Sequence, residues 1–292
     1  MNRVAARARH TFAIAADGRG RRSESHRVTW LVLCGHDDVV ARWAHEQLRA
    51  LNAETVELVT DVDLVGAGWD HRVGDDAVVT EIHLSDGRTL GSGGIRGTLN
   101  RLTHAPPALA GMLAPADREY GHTEFSALWL SWLAALDGPV LNPPTTRGFS
   151  GAWRSSVEWA VLAADASLEC IPLTDDSGDA PGSAGHDAWE VWPPYAPVRE
   201  DAIVVGESVF SARRLDRATR DACRRLSKLA DTPILGLVFA DTPIAGRPRL
   251  RGATPMPDLR AAGTPLVSAL ASALGGTHPA RAAVRAADTA TR

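Results

Sequence analysis

The chain has 292 residues, of which 45% are hydrophobic and 23% charged, and its formal net charge is −4. This is an ordinary composition for a globular protein, with enough length for a sizeable core. It excludes a basic surface suited to nucleic acid, and no apolar run approaches the ~20 residues of a membrane span. Arginine supplies nearly all the positive charge, since Lys228 is the one lysine. Cys34, Cys170 and Cys223 lie far apart and form no C-x-x-C pair. Such a set argues against a disulfide scaffold and fits a reducing, cytoplasmic setting.

Residues 1–27 are Arg-rich and lack the apolar core of a secretory signal, so they read as a disordered basic tail. Val28 to Leu33 reads as a buried strand. His36-Asp37-Asp38 can cap a helix whose apolar face carries Val40, Trp43, Ala44 and Leu48. A second strand over Thr55 to Val59 completes a β-α-β opening, which implies a parallel pair. Val78 to Leu84 and Arg88 to Leu90 flank Ser85-Asp86-Gly87, a hairpin signal. Gly91-Ser92-Gly93-Gly94 leads into a strand-like run, Ile95 to Leu99, and lacks the G-K-[ST] ending of a P-loop; it reads as a turn.

Residues 103–118 form a Pro/Ala-rich loop before a helix that starts near Thr123 and carries Trp129 and Trp132. Asp137-Gly138-Pro139 leads into a short strand, Val140-Leu141, ended by Asn142-Pro143-Pro144. A helix follows from about Gly151 to Ala166. Residues 171–200 read as a Gly/Pro/Ser-rich linker, in which the aromatic stretch from Trp189 to Tyr195 can pack back on the core or meet a partner. Next come a hairpin over Ala202 to Arg213 and a helix from Asp216 to about Ala230 with Ala222, Leu226 and Leu229 on one face. A strand at Pro233 to Phe239, another near Arg247 to Gly252 and a closing helix from Thr264 to Leu274 complete the order, with a frayed tail over 276–292.

This order resembles the ATP-grasp superfamily, in particular its glutamate-type carboxylate–amine ligases and peptide maturases. The resemblance rests on NPP followed by a helix, on IVVGESVFSAR, DRATRDACRRLSKL, ILGLVF and RLRGATPMPDL, and on the closing PLVSALASAL. It implies an α/β fold: a pre-ATP-grasp α/β domain over 28–170, then over 201–275 a truncated α+β ATP-grasp remnant lacking the lysine-bearing subdomain. In that family ATP converts a carboxylate into an acyl phosphate, which an amine then attacks. Magnesium is held by carboxylate and amide oxygens, and lysines hold the phosphates.

Position by position, this sequence departs from that chemistry. The acid of the family's "LGLDF" strand falls near Val238 or Phe239, and its E-x-N ligands fall at Gly252-Ala253-Thr254. No lysine stands between Thr174 and Ala202. The resemblance therefore implies a non-catalytic scaffold with no cofactor. Such a scaffold would act as an accessory or substrate-binding subunit, with a protein partner or a homodimer through the pre-grasp domain. The alternative is a divergent ATP- and Mg-dependent carboxylate–amine ligase using Asp241 or Asp258 for the metal. Arg96, Asn100, Arg101, Glu124, Asn142 and Arg213 fall on or beside the elements that face the family's cleft. Each also has a structural reading: Asn142 can simply end a strand, Glu124 can sit in a first helical turn, and Arg213 can be a solvated strand residue. A hydrolase or zinc enzyme finds little support, because G-x-S-x-G and H-E-x-x-H are absent and His122-x-Glu124 is too short a pair.

Overall fold

A computed structural model of the chain describes residues 30–51, 55–74, 77–104, 107–171, 200–240 and 248–275. The basic tail, the C-terminal tail and the linker, apart from Ile171 and Glu200, lie outside the described residues.

The N-terminal half begins with β1 (Trp30–Cys34), α1 (Val39–Ala50) and β2 (Val56–Thr60), followed by the short α2 (Asp61–Val65). β1 and β2 pair in parallel, as a β-α-β opening requires. All five residues of β1 are buried because both faces of its sheet are covered. Trp30, Val32 and Cys34 join one core, and Leu31 and Leu33 join another. Asp38 is the N-cap of α1, accepting from the amides of Val40 and Ala41, so the expected cap is confirmed and assigned to one carboxylate. Thr60 and Asp63 form a reciprocal capping box on α2.

β3 (Gly68–Val73), β4 (Val78–His83) and β5 (Thr89–Gly91) form an antiparallel sheet. Its β4–β5 hairpin was legible; β3 was not, because Trp69-Asp70-His71-Arg72 lacks a β-branched, apolar alternation. The glycine run forms a 3₁₀ turn at Ser92–Gly94 leading into β6 (Gly97–Arg101). Next come α3 (Pro107–Met112), in the expected loop, and α4 (Arg118–Ala135), which starts a turn and a half before Thr123. β7 (Val140–Leu141) closes a parallel sheet in the order β2-β1-β6-β7. Trp129, Trp132 and Leu133 of α4 are buried against the face of that sheet carrying Leu31 and Leu33. Trp69 meets Trp132 edge-on with ring centroids 5.4 Å apart.

The C-terminal half contains α5 (Ser156–Asp165), β8 (Ala202–Val205), β9 (Ser208–Ser211), α6 (Arg217–Leu229), β10 (Ile234–Phe239), β11 (Leu250–Thr254) and α7 (Gly263–Gly275). α5 starts later than its apolar pattern suggests. Gly151 has φ +85° and Ser155 caps the helix, so residues 151–154 form a bend rather than a helical turn. The antiparallel sheet has the order β11-β10-β8-β9. α5 and α6 cover one face through Trp159, Ala163, Cys223 and Leu226. On α6, Leu229 is 48% exposed; Thr219, Cys223 and Ser227 complete the buried face instead. α7 packs between the halves, against α1, β6, β7 and β8. A single core cluster therefore contains Trp30, Val32, Leu99 and Leu141 together with Ile203, Ile234, Leu266 and Leu270.

Candidate functional site

Two places bring together the residues to which the sequence points. The first is the seam where the parallel sheet meets β10. Asn142, directly after β7, is 1% exposed and has φ +59°. Asparagine tolerates this left-handed conformation better than most residues. Its Nδ2 donates to the carbonyls of Ile234 (2.9 Å) and Pro255 (2.6 Å), and its Oδ1 accepts from Ile234 N–H at 2.8 Å. Asn100, on β6, donates to Asn142 O (3.0 Å) and Phe149 O (2.6 Å). Arg101 is also buried: its Nε donates to Asp38 Oδ2 at 2.7 Å and its NH1 to Pro257 O at 3.0 Å. Three of the six candidate residues thus converge. Each is held by the protein's own groups, chiefly backbone carbonyls.

The second place is the C-terminal end of β10, where the resemblance puts the metal ligands. Val238 and Gly252 are cross-strand partners, as are Gly236 and Thr254. Residues paired directly across an antiparallel ladder share a face, so all four lie on one side of the sheet. Val238 is 7% exposed and has no donor atom for a metal. The hydroxyl oxygen of Thr254 accepts from Met256 N–H at 3.1 Å. A Cβ built on Gly236 would lie 2.8 Å from Glu200 Cγ and 2.9 Å from both Pro257 Cβ and Thr254 Cγ2, so side chains of the protein itself fill the space above it.

The carboxylates near this face are engaged. Asp201 accepts from Phe239 N–H and from Arg213 Nε, both at 2.7 Å. Asp258 is held by a bidentate Arg260 at 2.8 and 2.7 Å, which lowers its pKa. Burial raises the pKa of Glu200, whose Oε1 accepts from Asp258 N–H at 3.3 Å. Asp241 lies outside the described residues. Among the described residues, no group of three or more His, Cys, Asp or Glu is arranged to hold a metal. This donor set does not fit magnesium, which needs several free oxygen ligands.

The remaining candidates lie elsewhere. Arg96 is exposed ahead of β6, separated from Asn100 by about 13 Å of strand. Glu124 and His122 are exposed on α4. Arg213 is 44% exposed and serves Asp201. The sequence reading missed Asp201 and Glu200, which carry no motif and matter only because β8 and β11 flank β10; Pro257 reads from the sequence only as part of a turn. Cys34 and Cys223 are buried thiols pushed up to about 12, unsuited to act as nucleophiles.

This architecture is shared with solved ATP-grasp ligases. The macrocyclase MdnC from Microcystis aeruginosa MRC, bound with precursor peptide MdnA, superposes with a TM-score of 0.63 at 14% identity, covering 85% of this chain and 99% of that one. The macrocyclase MdnB from the same organism gives 0.58 at 13% identity, covering 85% and 100%. A Chryseobacterium gregarium RiPP-associated ATP-grasp ligase, in complex with ADP and a leader and core peptide, gives 0.57 at 10%, covering 85% and 95%. No protein-family model matches the chain, and no curated protein does. The chain has an ATP-grasp-like fold, of mixed α/β architecture with parallel and antiparallel sheets. At these identities the likeness speaks to fold alone.

Proposed function

We propose that the chain is a non-catalytic ATP-grasp-like scaffold that serves as an accessory or substrate-binding subunit for a peptide or natural-product ligase in the cytoplasm. One observation carries this reading: the family's strand acid falls near Val238 or Phe239, whose cross-strand partners are Gly252 and Leu250, so neither pair supplies a carboxylate. A misplaced alignment would move one ligand. Here strand pairing itself puts two unsuitable residues side by side. Of the acids near this face, Asp201 and Asp258 are paired with Arg213 and Arg260, and burial disfavours the charged form of Glu200. Phosphoryl transfer depends on positioning and on cations that stabilise the transferring group, so a scaffold with no metal-binding cluster among its described residues and no lysine between Thr174 and Ala202 has little means to stabilise it. The neighbour PsnB was solved with a minimal precursor, Mg and ADP, and MdnC with its precursor peptide. These complexes support a peptide or protein as the partner.

Isothermal titration with ATP and magnesium tests the reading. The expected result is no heat of binding at millimolar nucleotide. Saturable, magnesium-dependent binding at micromolar concentrations would replace the scaffold with a divergent carboxylate–amine ligase.

A further inference from the structure

The seam has an unusual chemical form. Ile234 opens β10, and both of its backbone groups turn to one side chain: its N–H donates to Asn142 Oδ1 and its carbonyl accepts from Asn142 Nδ2. A carboxamide that accepts an N–H and donates to the C=O of one residue does what a neighbouring strand does in an antiparallel ladder. Asn142 is attached directly to β7, an edge of the parallel sheet, so its side chain continues the hydrogen bonding of one sheet into the other. The left-handed backbone at Asn142 is disfavoured on its own and persists because these contacts over-determine it.

We infer that Asn142 makes the parallel and the C-terminal antiparallel sheets a single cooperative unit, so that the two halves open and close together rather than about a hinge. Two further observations support this. Arg101 ties Asp38, at the start of α1, to Pro257 O beyond β11. The core beneath the seam is continuous, with Leu99 and Leu141 from one sheet and Ile203 and Ile234 from the other in one buried cluster. Losing the carboxamide would leave Ile234 N–H and the carbonyls of Ile234 and Pro255 without this partner in the interior, where unpaired polar groups are costly. The inference rests on packing and hydrogen bonding, and it holds whether or not the chain binds a nucleotide.

Denaturant-dependent hydrogen exchange on the full chain tests it, read separately on peptides from β1 and β6 and on peptides from β8 and β10. In the wild type, both sets are expected to lose protection at the same midpoint. In Asn142→Asp, the β8 and β10 set is expected to exchange at least about tenfold faster at a denaturant concentration where β1 and β6 stay protected. Asn142→Gly keeps the left-handed backbone and removes only the side chain; it should uncouple the sets in the same direction and carries the comparison if Asn142→Asp does not fold. Two midpoints in the wild type would overturn the inference. So would variants whose two sets still move together.

Discussion

The seam at Asn142 and the far end of β10 lie on the same strand and use polar residues in opposite ways. At the seam, Asn100, Arg101 and Asn142 each meet backbone carbonyls, and the result is rigidity. At the far end, Asp201 and Asp258 meet arginines, and the result is charge neutralised before any ligand arrives. A polar residue in a cleft position is thus no sign of chemistry until its partners are known. Where its capacity is already spent on the protein, it holds structure.

The comparison can be broken most forcefully at the seam. Asn142→Asp sets a carboxylate against the carbonyls of Ile234 and Pro255, so we expect a loss of more than about 3 kcal/mol in urea unfolding. A loss under about 1 kcal/mol would show that the seam is not the joint. Val238→Asp restores an acid at the family's position but in a site 7% exposed. It should cost about 3 kcal/mol, and magnesium should not raise its melting temperature, because Gly252 and Thr254 provide no second ligand. A magnesium-dependent rise would mean that the metal site is one substitution from working.

Gly236→Ala sharpens the contrast by probing how closed the far end is. A methyl there meets Glu200, Pro257 and Thr254, and we expect about 1–2 kcal/mol of destabilisation. A neutral result would indicate an open face. Glu200→Gln should act in the other direction. Burial raises the Glu200 pKa, so the fold disfavours its charged form, and stability falls as pH rises through the carboxylate range. The substitution should raise the melting temperature at about pH 7 and have no effect at about pH 3, where the carboxyl is protonated in both states. The smallest effect is expected at Glu158, outside both regions. Arg147 and the Ser155 cap hold its pKa down to about 2, so its contribution is present above the unfolded value of about 4.3 and fades as pH falls towards 2. Melting curves of Glu158→Gln and wild type should differ slightly at neutral pH and converge at about pH 2.

Much of the architecture was legible because it depends on local pattern. The buried run at β1, the cap at Asp38, the Asp86-Gly87 hairpin and the Gly206 turn between β8 and β9 are short-range features. β3 was not, because Trp69 and His71 are held by tertiary contacts, Trp69 against Phe125 and Trp132 of α4 and His71 between Thr80 of β4 and Ser131 of α4. Of the six candidate residues, Asn100, Arg101 and Asn142 come together because they lie on or directly after neighbouring strands β6 and β7 of the parallel sheet, but as buried seam residues rather than on an open cleft.

By itself the sequence determined the periodicities, the caps, the order of elements and the absence of lysine between Thr174 and Ala202, because each of these is written within a few residues or in composition. Only the tertiary structure decided that Asn142 bonds to Ile234 ninety-two residues away, that Val238 faces Gly252 across a ladder, and that Asp201 belongs to Arg213. A hydrogen bond or an ion pair between distant residues depends on strand register and sheet order. Those are set by the burial of many side chains at once, not by any motif.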